Sequence, residues 1–177
     1  MKKIILILLL AIPVAAFSQG SEDVRDANFI NRVYTGGNIG FQMDAFRTTA
    51  EVSPIIGYRI TNEFSLGIGL TYIYYKYEDS YTDFETNIYG YRMFGRYNIT
   101  HQFFLLTEYE SLSLEFLNDG TENRQWVPGA FVGGGFYQSI SDNAGFNIAV
   151  LYNVMFDELR SPYKSPLVYR VGFTVGF

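Results

Sequence analysis

The chain contains no cysteine among its 177 residues, so an exported domain of this size would draw its stability from packing, with no disulfide. It has a single histidine, His101, which lies in a predicted short turn. A serine hydrolase needs a histidine within reach of a serine and an orienting carboxylate, and no such set is legible. Basic residues are scarce. Setting aside Lys2 and Lys3 leaves 11 basic against 18 acidic residues, a balance near −7, which argues against a nucleic-acid partner. Long apolar runs are missing beyond the first segment. If the chain crosses a membrane, helices do not carry it.

The N-terminus reads as an export signal. Met1-Lys2-Lys3 is basic, Ile4 to Val14 is an apolar run broken by Pro13, and Ala15-Ala16-Phe17-Ser18 offers small residues before polar sequence begins at Gln19. The run is shorter than the roughly 20 residues of a spanning helix. Residues 1–19 are therefore expected to be removed, leaving 20–177 as one domain.

What the chain has in abundance is aromatic residues and glycine: 15 Tyr, 16 Phe and 17 Gly. Their placement follows period two, the signature of a strand with one apolar face. Leu167, Tyr169, Val171, Phe173, Val175 and Phe177 alternate with Val168, Arg170, Gly172, Thr174 and Gly176. The same pattern runs through 146–156 and 64–74, and more weakly through 33–43, 51–60 and 87–97. Segment 103–116 is ambiguous: Glu108 and Glu110 share parity with Leu112, Leu114 and Phe116, which would require a bulge or emergence from lipid near Ser111. Gly133-Gly134-Gly135 erases the pattern in 126–137, and Pro54 and Pro128 sit awkwardly in strands.

Eight strands result. Short connections fall near 61–63, 100–102 and 141–144. Longer polar ones fall at 44–49, 76–86, 117–125 and 157–165. Short turns on one side and long loops on the other describe an all-β, antiparallel, up-and-down transmembrane barrel with its N-terminus in the periplasm. An eight-stranded barrel has room inside for side chains alone, so the bulky apolar face should look outward, into lipid. Pairing Ile60 with Phe64 brings Tyr58 to Leu66, Ile56 to Ile68 and Val52 to Tyr72, all on one face.

The closing segment Tyr169-Arg-Val-Gly-Phe-Thr-Val-Gly-Phe177 resembles the last strand of bacterial outer-membrane barrels, and the chain as a whole resembles the small OmpA/OmpX-like class. That resemblance implies an outer-membrane location. It also implies that Tyr169, Phe173 and Phe177 are read by the barrel-assembly machinery.

Parity puts Glu51, Arg59, Arg92, Arg96, Glu108, Glu110 and Arg170 inside the barrel, where charges should be paired. A tight turn pairing Asn98 with Gln102 sets Arg92 opposite Glu108, with Glu110 diagonal. The expected result is a salt-bridge network plugging the lumen, with a gated ion or small-solute channel as the alternative. Tyr77, Tyr81, Phe84 and Tyr163 are expected to lie in loops suited to contacting an extracellular ligand. The acidic residues Asp79, Asp83, Glu85, Asp119, Glu122, Asp157 and Glu158 match no calcium loop. Asn98-Ile99-Thr100 would be a glycosylation acceptor only in a eukaryotic context. No cofactor or metal is expected, and the only partners are membrane lipid, the assembly machinery and whatever the loops hold.

Overall fold

A strand that alternates bulky apolar residues with small or polar ones presents two unlike faces, and closing the sheet gives each face its own medium. The computed structural model describes residues 28–43, 47–79, 82–118, 121–158, 160–163 and 165–176. A short 3-10 turn, Phe29–Arg32, leads into β1 (Val33–Met43). There follow β2 (Arg47–Arg59), β3 (Phe64–Asp79), β4 (Thr82–Asn98), β5 (Phe103–Asn118), β6 (Thr121–Ser141), β7 (Ala144–Asn153) and β8 (Leu167–Val175). These eight strands close in sequence order, each pair antiparallel, with β8 returning to β1. The segment expected to be a signal, 1–19, lies outside the described residues, as does Phe177.

The β2–β3 register is the expected one: Tyr58 opposes Leu66, Ile56 opposes Ile68 and Val52 opposes Tyr72. The β4–β5 register is not. Arg92 opposes Glu110 rather than Glu108, and Asn98 opposes Phe104. The shift is two residues, so every side chain keeps its face. Hairpins also run further than expected. Residues 76–79 and 82–86 continue the β3–β4 ladder, with Tyr77 opposite Phe84, and the β5–β6 ladder reaches Asn118 opposite Thr121. Tyr77 and Phe84 are therefore strand residues, and Tyr81 lies outside the described residues. The long connection is 154–166. Pro54 and Pro128 both sit within strands, facing outward; around Pro54 the β2–β3 pairing runs to Val52 and resumes at Ile55, as a residue without a donor requires.

The outer wall is apolar. Ile68 is 62 % exposed, and Leu70, Met93, Leu105, Val132, Val150 and Val171 are exposed with it. Tyr97, Phe103 and Phe173 lie towards the short-turn end of this belt, and Tyr72, Tyr89, Trp126 and Tyr152 towards the other. From Phe64 to Tyr74 the strand extends about 33 Å, or about 25 Å along the membrane normal at the roughly 40° tilt of such barrels, which is the height of a bilayer belt.

The interior is bulkier than small-residue-inward reasoning allows. Tyr34, Phe94, Phe104, Leu112, Phe131 and Leu151 are all buried inside. Glycines directly across the ladder make room for them: Gly57 opposite Tyr34, Gly67 opposite Phe94, Gly90 opposite Leu112, Gly133 opposite Leu151 and Gly135 opposite Phe104. This accounts for the glycine run in β6. Gly133 and Gly135 point inward under large neighbours, while Gly134 points out. It also settles segment 103–116, which has no bulge. Leu112 and Leu114 join Ile73, Ile88 and Val127 in an apolar plug on the long-strand side of the lumen.

The glycine seats give a direct test. A Cβ at Gly67 would overlap the Phe94 ring and crowd the Ile56 carbonyl, whereas at outward-facing Gly95 the nearest atom is Thr107 Oγ1 at 3.2 Å. Gly67→Ala should cost roughly 1–3 kcal/mol by overpacking, and Gly95→Ala much less. Urea unfolding in lipid vesicles measures both; equal effects would contradict the packing described.

Candidate functional site

Two guanidiniums and three carboxylates meet in the middle of the lumen, drawn from four strands. Arg170 on β8 is the hub. Its Nη1 donates to Glu51 Oε1 at 2.9 Å, and its Nη2 donates to Glu108 Oε1 at 2.7 Å and Glu110 Oε2 at 3.1 Å. Arg92 on β4 is more distant, with Nη1 at 3.5 Å from Glu108 Oε2 and Nη2 at 3.6 Å from Glu51 Oε1. Arg92 and Glu110 are each 1 % exposed and Arg170 is 4 % exposed, so these charges are fully withdrawn from solvent and depend on one another. Ser53 Oγ donates to Glu51 Oε1 at 2.8 Å.

Arg170 also ties the barrel's seam. β8 pairs with β1 from Val175 opposite Thr35 to Gly172 opposite Asn38, while β1 continues to Met43. Arg170 stands just beyond the paired stretch. It reaches past β1 to Glu51 on β2, whose β1 neighbour is Gly40, a residue with no side chain to obstruct it.

Tyr163 departs from the expected role. It lies in a connection, as expected of a loop-contact candidate, but its hydroxyl donates to Glu110 Oε1 at 2.7 Å and its ring meets Phe131 edge-on, 5.7 Å between centroids. Arg170 Nη2 donates to the same hydroxyl at 3.4 Å. The reason lies in the charge balance: three carboxylates share two guanidiniums, and a phenol supplies a further donor to Glu110. Residues 160–163 thus fold over the lumen, leaving a cavity of about 200 Å³ lined by Glu110, Asn153, Asp157, Arg160 and Tyr163 among others.

Arg59 and Arg96 face inward but stand apart from this cluster, towards the short turns. Arg59 Nη2 donates to the Asn31 carbonyl at 2.6 Å, across the 3-10 turn. Arg96 Nε donates to Asn98 Oδ1 at 2.9 Å, and its guanidinium lies 3.9 Å from the Phe104 ring centre. The seven inward charges therefore form one ionic cluster of five and two separately held arginines. Tyr169 and Phe173 face outward from the barrel wall, 70 % and 52 % exposed. His101 is exposed in the 99–102 turn.

A closed antiparallel barrel in simple meander order has solved counterparts. Neisserial surface protein A (NspA) superposes with a TM-score of 0.55 at 17 % identity, over 82 % of this chain and 97 % of that one. The N-terminal β-barrel domain of Pseudomonas aeruginosa OprF superposes with a TM-score of 0.51 at 13 % identity, over 81 % and 96 %. The fold is that of the small eight-stranded outer-membrane barrels. No family model matches the sequence, and no curated protein does. For an outer-membrane barrel the short turns face the periplasm and the long hairpins face outward. In this chain the Arg96–Phe104 end carries the short turns, and the Tyr163 segment lies at the opposite end with the long hairpins.

Proposed function

We propose that this outer-membrane barrel is non-enzymatic and sealed, with a structural or surface-contact role exercised from its outward end. The observation that carries the reading is the filling of the lumen. The Arg170 cluster occupies its middle, the Ile73–Ile88–Leu112–Leu114 plug lies on the outward side, and Phe104 with Tyr137 and Ala149 fills the periplasmic side. A side-chain-filled barrel has no continuous water path. The contact surface would be carried by the β3–β4 and β5–β6 hairpins, which extend past the aromatic girdle as paired ladders. A stiff ladder presents side chains with less ordering cost than a free loop. The name of one solved counterpart, a neisserial surface protein, agrees with a role at the cell surface.

Planar-bilayer recordings on the refolded protein test this. The expected result is no stable single-channel current, and unchanged silence in Arg92→Glu. Steady currents whose ion selectivity inverts in Arg92→Glu would replace the sealed barrel with an ion or small-solute channel.

A further inference from the structure

The lipid-facing wall is not uniform. A furrow of about 810 Å³ crosses it between two rows of side chains. One wall is the cross-strand row Ile56, Ile68, Met93, Tyr109 and Ala130; the other is Tyr58, Leu66, Gly95, Thr107 and Val132. The furrow runs along the hydrogen-bonding direction, across the strands. Gly95, Thr107 and Ala130 are too small to fill it, so the walls are low along much of its length.

Its path relative to the membrane follows from the register. Tyr58 and Leu66 flank the periplasmic turn 60–63, whereas Val132 and Ala130 lie on β6 between Trp126 of the outward girdle and Ile140 near the opposite end. The furrow therefore starts at the periplasmic rim and climbs to mid-depth. Five strands about 4.8 Å apart give a length of about 19 Å, and a strand tilt of roughly 40° makes it rise about 12 Å. Half the hydrocarbon core is about 15 Å, so the furrow serves one leaflet, the periplasmic one.

The rim end carries one arginine and two aromatic rings. Arg32 Nη1 donates to Tyr58 Oη at 2.9 Å, and its guanidinium lies 5.5 Å from the Tyr58 ring centre. Phe29 packs on the same ring at 5.2 Å between centroids and remains 69 % exposed. A cation at headgroup level joined to an apolar channel ending at the midplane matches the two parts of an anionic phospholipid.

We propose that this furrow is a binding site for one anionic phospholipid of the periplasmic leaflet. An acyl chain lies between the two side-chain rows, and the phosphate sits against Arg32. Arg32 sets the preference for headgroup charge, and the Gly95–Thr107–Ala130 gaps set the room for the chain. The site lies on the outer wall and is independent of whether the lumen conducts.

The test is native mass spectrometry of the full chain extracted from membranes in mild detergent, with phosphatidylglycerol and phosphatidylcholine added back in competition. Wild type should retain one phospholipid per barrel and prefer phosphatidylglycerol. Gly95→Leu and Ala130→Leu, which fill the furrow from its two halves, should each lower retention about tenfold, equivalent to about 1.4 kcal/mol. Arg32→Glu should keep chain binding and lose the preference for phosphatidylglycerol. Heat-modifiable gel migration identifies folded variants, and Ala130→Leu decides the matter if Gly95→Leu does not fold. Three results would overturn the proposal: equal retention by wild type and the filled variants, retention of outer-leaflet glycolipid in place of phospholipid, or a barrel dimer that Gly95→Leu dissociates.

Discussion

Arg170→Ala is expected to be the most damaging single substitution in the lumen. It removes the contacts at 2.9, 2.7 and 3.1 Å to Glu51, Glu108 and Glu110 and leaves three carboxylates with one guanidinium, Arg92, which pairs with Glu51 and Glu108 but not Glu110. Breaking a buried ionic cluster by deleting one partner costs about 3–5 kcal/mol, less where water enters. Arg92→Ala should cost less, because its contacts are longer, 3.5 and 3.6 Å. Adding Glu110→Gln to Arg170→Ala should recover part of the loss, since it removes one uncompensated charge, and a double-mutant cycle separates that coupling from simple additivity. The seam supplies an independent readout. Arg170 bridges β8 to β2 just where β8 and β1 cease to pair, so its loss should speed amide exchange in residues 39–43 and 167–171. Unfolding in urea, followed through the single tryptophan, Trp126, measures the first effect. Arg92→Ala proving as costly as Arg170→Ala, with no change in exchange at the seam, would remove Arg170 from its central place.

The second large effect is expected on the lipid face. Val150 is outward-facing near the middle of β7, and Ile140 is outward-facing at the short-turn end of β6. An arginine at mid-bilayer depth costs about 2–4 kcal/mol in a barrel, falling to about 0–1 near the interface. Val150→Arg should therefore destabilise the protein by several times more than Ile140→Arg when unfolding is followed in vesicles. In detergent micelles, which impose less depth, the difference should shrink. Equal costs in vesicles would mean that the belt between the aromatic girdles is not in hydrocarbon.

Strand number, antiparallel order and the face of almost every residue were legible in the sequence. The physical reason is that side chains alternate with period two, and lipid on one side with a narrow lumen on the other forces a different chemistry onto each parity. Glu51, Arg59, Arg92, Arg96, Glu108, Glu110 and Arg170 all face inward for that reason. At 133–135 β6 carries only glycine, so alternation has no side chains there, and the faces are set by Leu151 and Phe104 across the ladder.

Only the tertiary structure decided which inward residues meet. A two-residue slip preserves parity, so alternation does not distinguish Arg92 opposite Glu108 from Arg92 opposite Glu110; the length of the 99–102 turn chose the latter. Closure of the barrel brings Arg170 to Glu51, 119 residues away in the chain, and no local pattern encodes that distance. Tyr163 lies in an irregular segment where periodicity carries no information, and its inward turn follows from the donor that Glu110 accepts. The sequence by itself determined a barrel with charges inside; the seam-crossing cluster, the tyrosine that closes over it and the furrow on the outer wall exist only once strands far apart in sequence become neighbours.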